Sequence, residues 1–233
     1  MSSTMNNEFP SYLQAFFPNK LSFPIFNLGA HTRDMHFTVT VDLRFKNKPL
    51  MVLDNFTNDG NVLAVVGKPN IVHATHKTEV QVGDTTITLI NLMGNIYRSF
   101  MFSLKLDSGR EKFEWRPTQG NEVCNMFKHA KGFKLVRLDS KGPGDGKGGK
   151  RDDRHVDETS DGKEVVAVWA TEKSLVPSSL TPTNKPFKFE LRASGKSGEL
   201  GSQFGYFALA TALKIWSYDV QGVTYFSTTP VYR

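Results

Sequence analysis

One segment limits the folds open to this chain more than any other. From Phe187 to Asp219 it reads FKFELRASGKSGELGSQFGYFALATALKIWSYD, a strand pattern that passes through glycines into a helix. The helical run is apolar on every side, with Phe204, Phe207, Leu209, Leu213 and Trp216 spread around it and Lys214 its only charge. A surface helix carries a single apolar stripe, whereas a helix apolar all round is enclosed by protein or lipid. The run is shorter than the roughly 20 apolar residues needed to cross a bilayer. It must therefore be enclosed by the rest of the chain, and the rest reads as β-structure.

Residues 37–45 (FTVTVDLRF) alternate between apolar and polar without a fault, the period of a strand with one face on a core. Residues 50–66 read as a hairpin, because Asn58-Asp59-Gly60-Asn61 supplies turn-forming residues between two apolar runs. Further strands are expected at 70–74, 78–82, 85–92, 99–106, 111–116, 133–138, 164–170 and 186–192, with turns at Gly83-Asp84 and Asp107-Ser108-Gly109. Many short strands without intervening helices predict a closed or sandwiched antiparallel sheet.

The first thirty residues are broken by Pro10, Pro18 and Pro24 and rich in Phe9, Tyr12, Phe16, Phe17, Phe23 and Phe26. They are expected to form an aromatic arm, wrapped onto the domain or used to hold a partner. The barrel domain is placed at 31–219, its enclosed helix at about 199–217, and a tail at 220–233. Residues 139–163 hold almost no apolar side chain and many glycines, so a mobile loop is expected there.

Chemistry is harder to find. Gly144-Asp145-Gly146-Lys147-Gly148-Gly149 fits G-x-G-x-x-G, but no helical pattern follows to receive a pyrophosphate. His73 and His76 lie three apart, which places them on opposite faces of a strand, and no third ligand is evident. The acidic residues Asp152, Asp153, Asp157, Glu158 and Asp161 lack the calcium-loop pattern and are expected to be solvated. Cys124, the single cysteine, rules out an internal disulfide framework and has no recognisable catalytic context, so a buried or inert thiol is expected. No catalytic residue, metal or cofactor is assigned.

The net charge is +6 and the pI about 9.3, with a modest concentration of cations at Lys128, Lys131, Lys134 and Arg137. These four are the candidate site for an anionic head group. The alternative is an ordinary basic face that keeps a strand soluble. The excess is too diffuse for a dedicated nucleic-acid binder.

The succession FEWR (113–116), GFKLVRL (132–138), EVVAVWA (164–170) and FKFEL…GELG…FALATALKIW resembles the tubby C-terminal-like superfamily, which includes the tubby, phospholipid-scramblase and LURP-one-related domains. The likeness is greatest to small tubby-like proteins of fungi. It implies a closed antiparallel β-barrel threaded by a hydrophobic C-terminal helix. It further implies a non-enzymatic domain that binds phosphoinositide or another anionic phospholipid at a membrane surface. The alternatives are a protein-interaction module using the aromatic arm, and a small-molecule enzyme. An intracellular, cytoplasmic monomer without a transmembrane span is expected.

Overall fold

The computed structural model describes residues 8–18, 25–42, 49–57, 60–72, 75–92, 99–140, 157–172 and 186–220. The glycine-rich run 144–149, most of the expected loop, His73 and the tail from 221 onward lie outside them, as does the side chain of His76.

Twelve strands form one closed antiparallel barrel. They are β1 (Tyr12–Phe16), β2 (Ile25–His31), β3 (Asp34–Val41), β4 (Met51–Asn55), β5 (Val62–Val72), β6 (Thr75–Val82), β7 (Thr85–Leu92), β8 (Ser99–Leu106), β9 (Gly109–Thr118), β10 (Ala130–Arg137), β11 (Glu164–Glu172) and β12 (Lys188–Leu191). Every strand pairs with its neighbours in sequence, and β1 closes the ring by pairing with both β2 and β12. Closure removes the sheet edges that would otherwise recruit other chains.

Three helices complete the described chain: α1 (Asn121–Cys124), α2 (Ala193–Ser197) and α3 (Phe204–Val220). Helix α3 runs inside the barrel. Between Phe204 and Tyr218 all its residues except Tyr206 are buried, which is why the sequence needs apolar residues on every face. Trp216 meets Phe26 at 5.5 Å and Phe187 at 5.4 Å between ring centroids, and Phe204 meets Phe113 at 5.2 Å. The buried Thr211 hydroxyl accepts from Trp115 Nε1 at 2.9 Å and donates to the Phe207 carbonyl at 2.7 Å. A polar group is tolerated at that depth because both of its hydrogen bonds are made.

The chain enters α3 through a tight connection at what we call the upper end. Gly198 (φ 82) and Gly201 (φ 81) occupy the left-handed region there, which a side chain would strain. Gly205 has a different cause: a Cβ would overlap the ring of Phe9. Phe9 itself stacks near Phe37 at 5.7 Å and meets Tyr206 edge-on at 5.0 Å.

That contact lies in the stretch expected to form an aromatic arm over residues 1–30. Residues 12–16 are barrel wall, residues 25–31 form the next strand, and Phe9, Leu13 and Phe26 belong to or pack against the one core. Proline punctuation suggested an arm because pairing of the first strand with the last is a tertiary event. The helix is also divided differently from the expected 199–217: Ala193–Ser197 turns once by itself, and α3 begins at Phe204.

Strand β11 is buried from Glu164 through Thr171, inside and out. Its outer face is covered by α1 and the following turn, where Val123, Met126, Ala130, Val165, Val168 and Ala170 form a second, smaller apolar cluster. The sequence EVVAVWAT is accordingly a continuous apolar run and not an alternating one.

Candidate functional site

The four cations at 128–137 do not converge. Lys128 is exposed in the turn before β10. Lys131 is partly buried on β10 at the lower end of the barrel. Lys134 stands opposite Arg116 in the register with β9 and pairs with Glu122 of α1 at 3.5 Å. Arg137 stands opposite the buried Phe113, on the inward phase of the wall at the upper rim.

Arg137 is fully engaged. Its Nη2 donates to Glu111 Oε1 at 2.7 Å and its Nη1 to Glu199 Oε1 at 2.8 Å, with Glu164 Oε2 at 3.4 Å. Glu164 Oε1 in turn accepts the Ser194 amide at 2.9 Å. One guanidinium thus ties β9, β10, β11 and the α2–α3 connection together. The bidentate hydrogen bond to Arg137 holds Glu111 below the usual carboxylate range, and the same bond raises Arg137 still further. Glu199 joins this cluster from the connection between α2 and α3.

The acidic residues expected to be solvated are partly paired as well. Asp161 receives Arg116 Nη1 at 2.9 Å and Asp157 receives Arg192 Nη1 at 3.2 Å. Of the two alternatives expected for Cys124, buried or inert, the structure excludes the first: the thiol is exposed, and its Sγ donates to the Gln119 carbonyl at 3.4 Å. Among the described residues no group of three or more His, Cys, Asp or Glu could hold a metal ion, and no helix is long and apolar enough to cross a membrane.

A different set of cations stands without carboxylates. Lys105 on β8 lies directly opposite Arg110 on β9, and Ser103 opposite Lys112. Like charges facing each other across a ladder destabilise it. Among the described residues none of Lys105, Arg110 and Lys112 makes an ion pair, although Asp139 Oδ2 accepts the backbone amide of Lys112 at 3.2 Å. All three are exposed.

These cations border a break in the barrel wall. Strands β7 and β8 have eight residues each, yet only Ile90↔Met101, Asn91↔Phe100 and Leu92↔Ser99 are paired. The same register would continue through Leu89↔Phe102, Thr88↔Ser103, Ile87↔Leu104 and Thr86↔Lys105 to Thr85↔Leu106, and none of those pairs is made. A recess of about 350 Å³ occupies the opening, lined by Thr86, Ile87, Thr88, Ile90, Met101, Phe102, Ser103, Arg110 and Lys112. Sequence patterning gave both strands their bounds but carried no signal of this break.

Inside the barrel one more charge stands out. Lys214 is 1% exposed, and its Nζ lies 3.9 Å from the centre of the Tyr218 ring, a cation–π contact one helical turn away. No carboxylate pairs with it among the described residues. Desolvation lowers its pKa from 10.5 to about 7. Asn91 Oδ1, Trp169 Nε1 and Thr171 Oγ1 are also buried in the lower part of the barrel, without hydrogen-bond partners among the described residues. The signal for Lys214 was present in the sequence, as the only charge between Phe204 and Tyr218. Its lack of a counter-ion was not.

Comparison with known proteins finds no family model, no curated protein and no solved structure that matches this chain.

Proposed function

We propose that this chain is a tubby-like, non-enzymatic domain that binds anionic phospholipid at a membrane surface. The observation that carries the reading is the filling of the barrel by α3: Phe204, Phe207, Leu209, Leu213 and Trp216 are all buried against the strands. A barrel of this kind keeps its interior for its own helix and leaves recognition to its outer wall. The chain has a net charge of +6, the sign that an anionic bilayer attracts. Lys128 is exposed at the lower end, near the partly buried Lys131, whereas Lys134 and Arg137 are engaged with carboxylates. Each cation near an anionic bilayer contributes about 1 kcal/mol, so a few exposed lysines are enough for a weak, salt-sensitive attachment.

Vesicle co-sedimentation tests this. The full chain should be recovered with vesicles containing phosphatidylinositol bisphosphate at low salt and released as salt rises. Lys128→Glu combined with Lys131→Glu should lower recovery about tenfold. Equal recovery with neutral and anionic vesicles would remove the lipid reading.

A further inference from the structure

We infer that the break between β7 and β8 is a docking site for an extended, acidic segment of a partner protein, which adds to the wall as a strand. Three features of the same place support this. The first is the unmade register. Over Thr85–Leu89 and Phe102–Leu106 two strands that should be neighbours have parted, and no ladder pair joins them. Each strand alternates the side to which its N–H and C=O point, so each presents a set of donors and acceptors to the opening. Elsewhere closure has removed such edges, and here the barrel retains two of them face to face.

The second feature is the space. The recess of about 350 Å³ has Ile87, Ile90, Met101 and Phe102 along its lining, with the hydroxyls of Thr86 and Thr88 on the outer side. A strand laid against either edge directs alternate side chains inward and outward. Its inward residues would meet Ile87 and Phe102, which favours apolar side chains there.

The third feature is the charge. Outward residues of such a strand would stand beside Lys105, Arg110 and Lys112, of which the first two oppose each other and all three lack ion-pair partners among the described residues. Arg116, Lys134 and Arg137 on β9 and β10 all have carboxylates. A partner segment that alternates acidic and apolar residues supplies both missing parts, the carboxylates and the main-chain hydrogen bonds. A phosphate-bearing head group would supply only the charge. Nor would it find a free donor in Ser103, whose hydroxyl already donates to the Glu111 carbonyl at 3.1 Å. The main-chain edges therefore favour the peptide.

Amide hydrogen exchange on the full chain, combined with peptide binding, tests the inference. In the free protein alternate amides of Thr85–Leu89 and Phe102–Leu106 should exchange much faster than those of the paired Ile90–Leu92. A synthetic peptide of roughly ten residues alternating glutamate and valine should bind in a salt-dependent manner and slow exchange at both segments. A peptide of the same length alternating lysine and valine should do neither. Arg110→Gln with Lys112→Gln should weaken the acidic peptide about tenfold. Both positions are exposed, and an unchanged exchange pattern of the free variant confirms its fold.

Uniformly slow exchange in the free protein would mean that the wall is zipped, and the inference fails. It fails too if the acidic peptide binds without protecting these segments, or binds the double variant equally well. Protection by phosphoinositide vesicles without protection by the peptide would make the recess a head-group site and overturn the inference in that direction.

Discussion

Arg137 and Lys214 are both cations on the inner side of this barrel, and the chain treats them in opposite ways. Arg137 sits at the upper rim among Glu111, Glu164 and Glu199, with every direction of its guanidinium used. Lys214 sits in the interior with one aromatic ring for company. A planar, always-charged group with five donors can organise several carboxylates at once, and no environment in a protein neutralises it. An amine on a flexible stem can give up its proton when desolvated, so it survives burial without a counter-ion. The rim therefore uses charge as a fastening, whereas the interior pushes charge out.

Removing the fastening should have the larger effect. Arg137→Leu leaves the two mostly buried carboxylates of Glu111 and Glu164 side by side with Glu199, and should cost about 3–5 kcal/mol in denaturant unfolding. A loss below about 1 kcal/mol would show that the cluster behaves like an ordinary surface ion pair. The same cluster predicts an acid limit. Glu111 titrates lower in the folded state than its ordinary value of 4.5, so its contribution is full above that value and disappears as pH falls through the folded pKa.

The interior should respond with the opposite sign and a smaller size. Lys214→Met removes the cost of holding an ammonium away from water, and should raise stability at pH 7 by on the order of a few kcal/mol. The pH dependence follows from the direction of the shift. With a folded pKa of about 7 against 10.5 when unfolded, the unfolded chain binds more protons between those values, so wild-type stability rises with pH across that interval. Below about pH 7 both states are protonated and the full penalty applies. The Met variant should lack this rise. If its thermal midpoint is lower than that of the wild type and keeps the same slope, Lys214 has a partner and the contrast with Arg137 collapses.

The two regions also differ in how far they could be read from sequence. Strands 85–92 and 99–106 were expected at the bounds observed, because each alternates cleanly and ends at a turn residue. The enclosed helix was legible because no other environment suits an all-round apolar run with a single lysine. Local pattern could not reveal the partners of Arg137, which lie 26, 27 and 62 residues away in the chain. That the four candidate cations do not converge has the same origin: Lys134 and Arg137 are three residues apart in sequence but fall on opposite faces of β10, each facing a carboxylate from another element. The break between β7 and β8 was invisible for a related reason, since both strands carry normal patterning and the missing pairs exist only in three dimensions.

All of these readings depend on α3 being the core of a closed barrel. Ala212 lies on that helix with no exposed surface, midway between Phe207 and Trp216. Thermal unfolding of Ala212→Asp, followed by far-ultraviolet circular dichroism at neutral pH, tests this most directly. An unpaired carboxylate placed there has no water and no counter-ion, so the cooperative transition should be lost and the chain should be unfolded at 25 °C. A variant that still melts cooperatively near the wild-type temperature would mean that the helix lies outside the barrel.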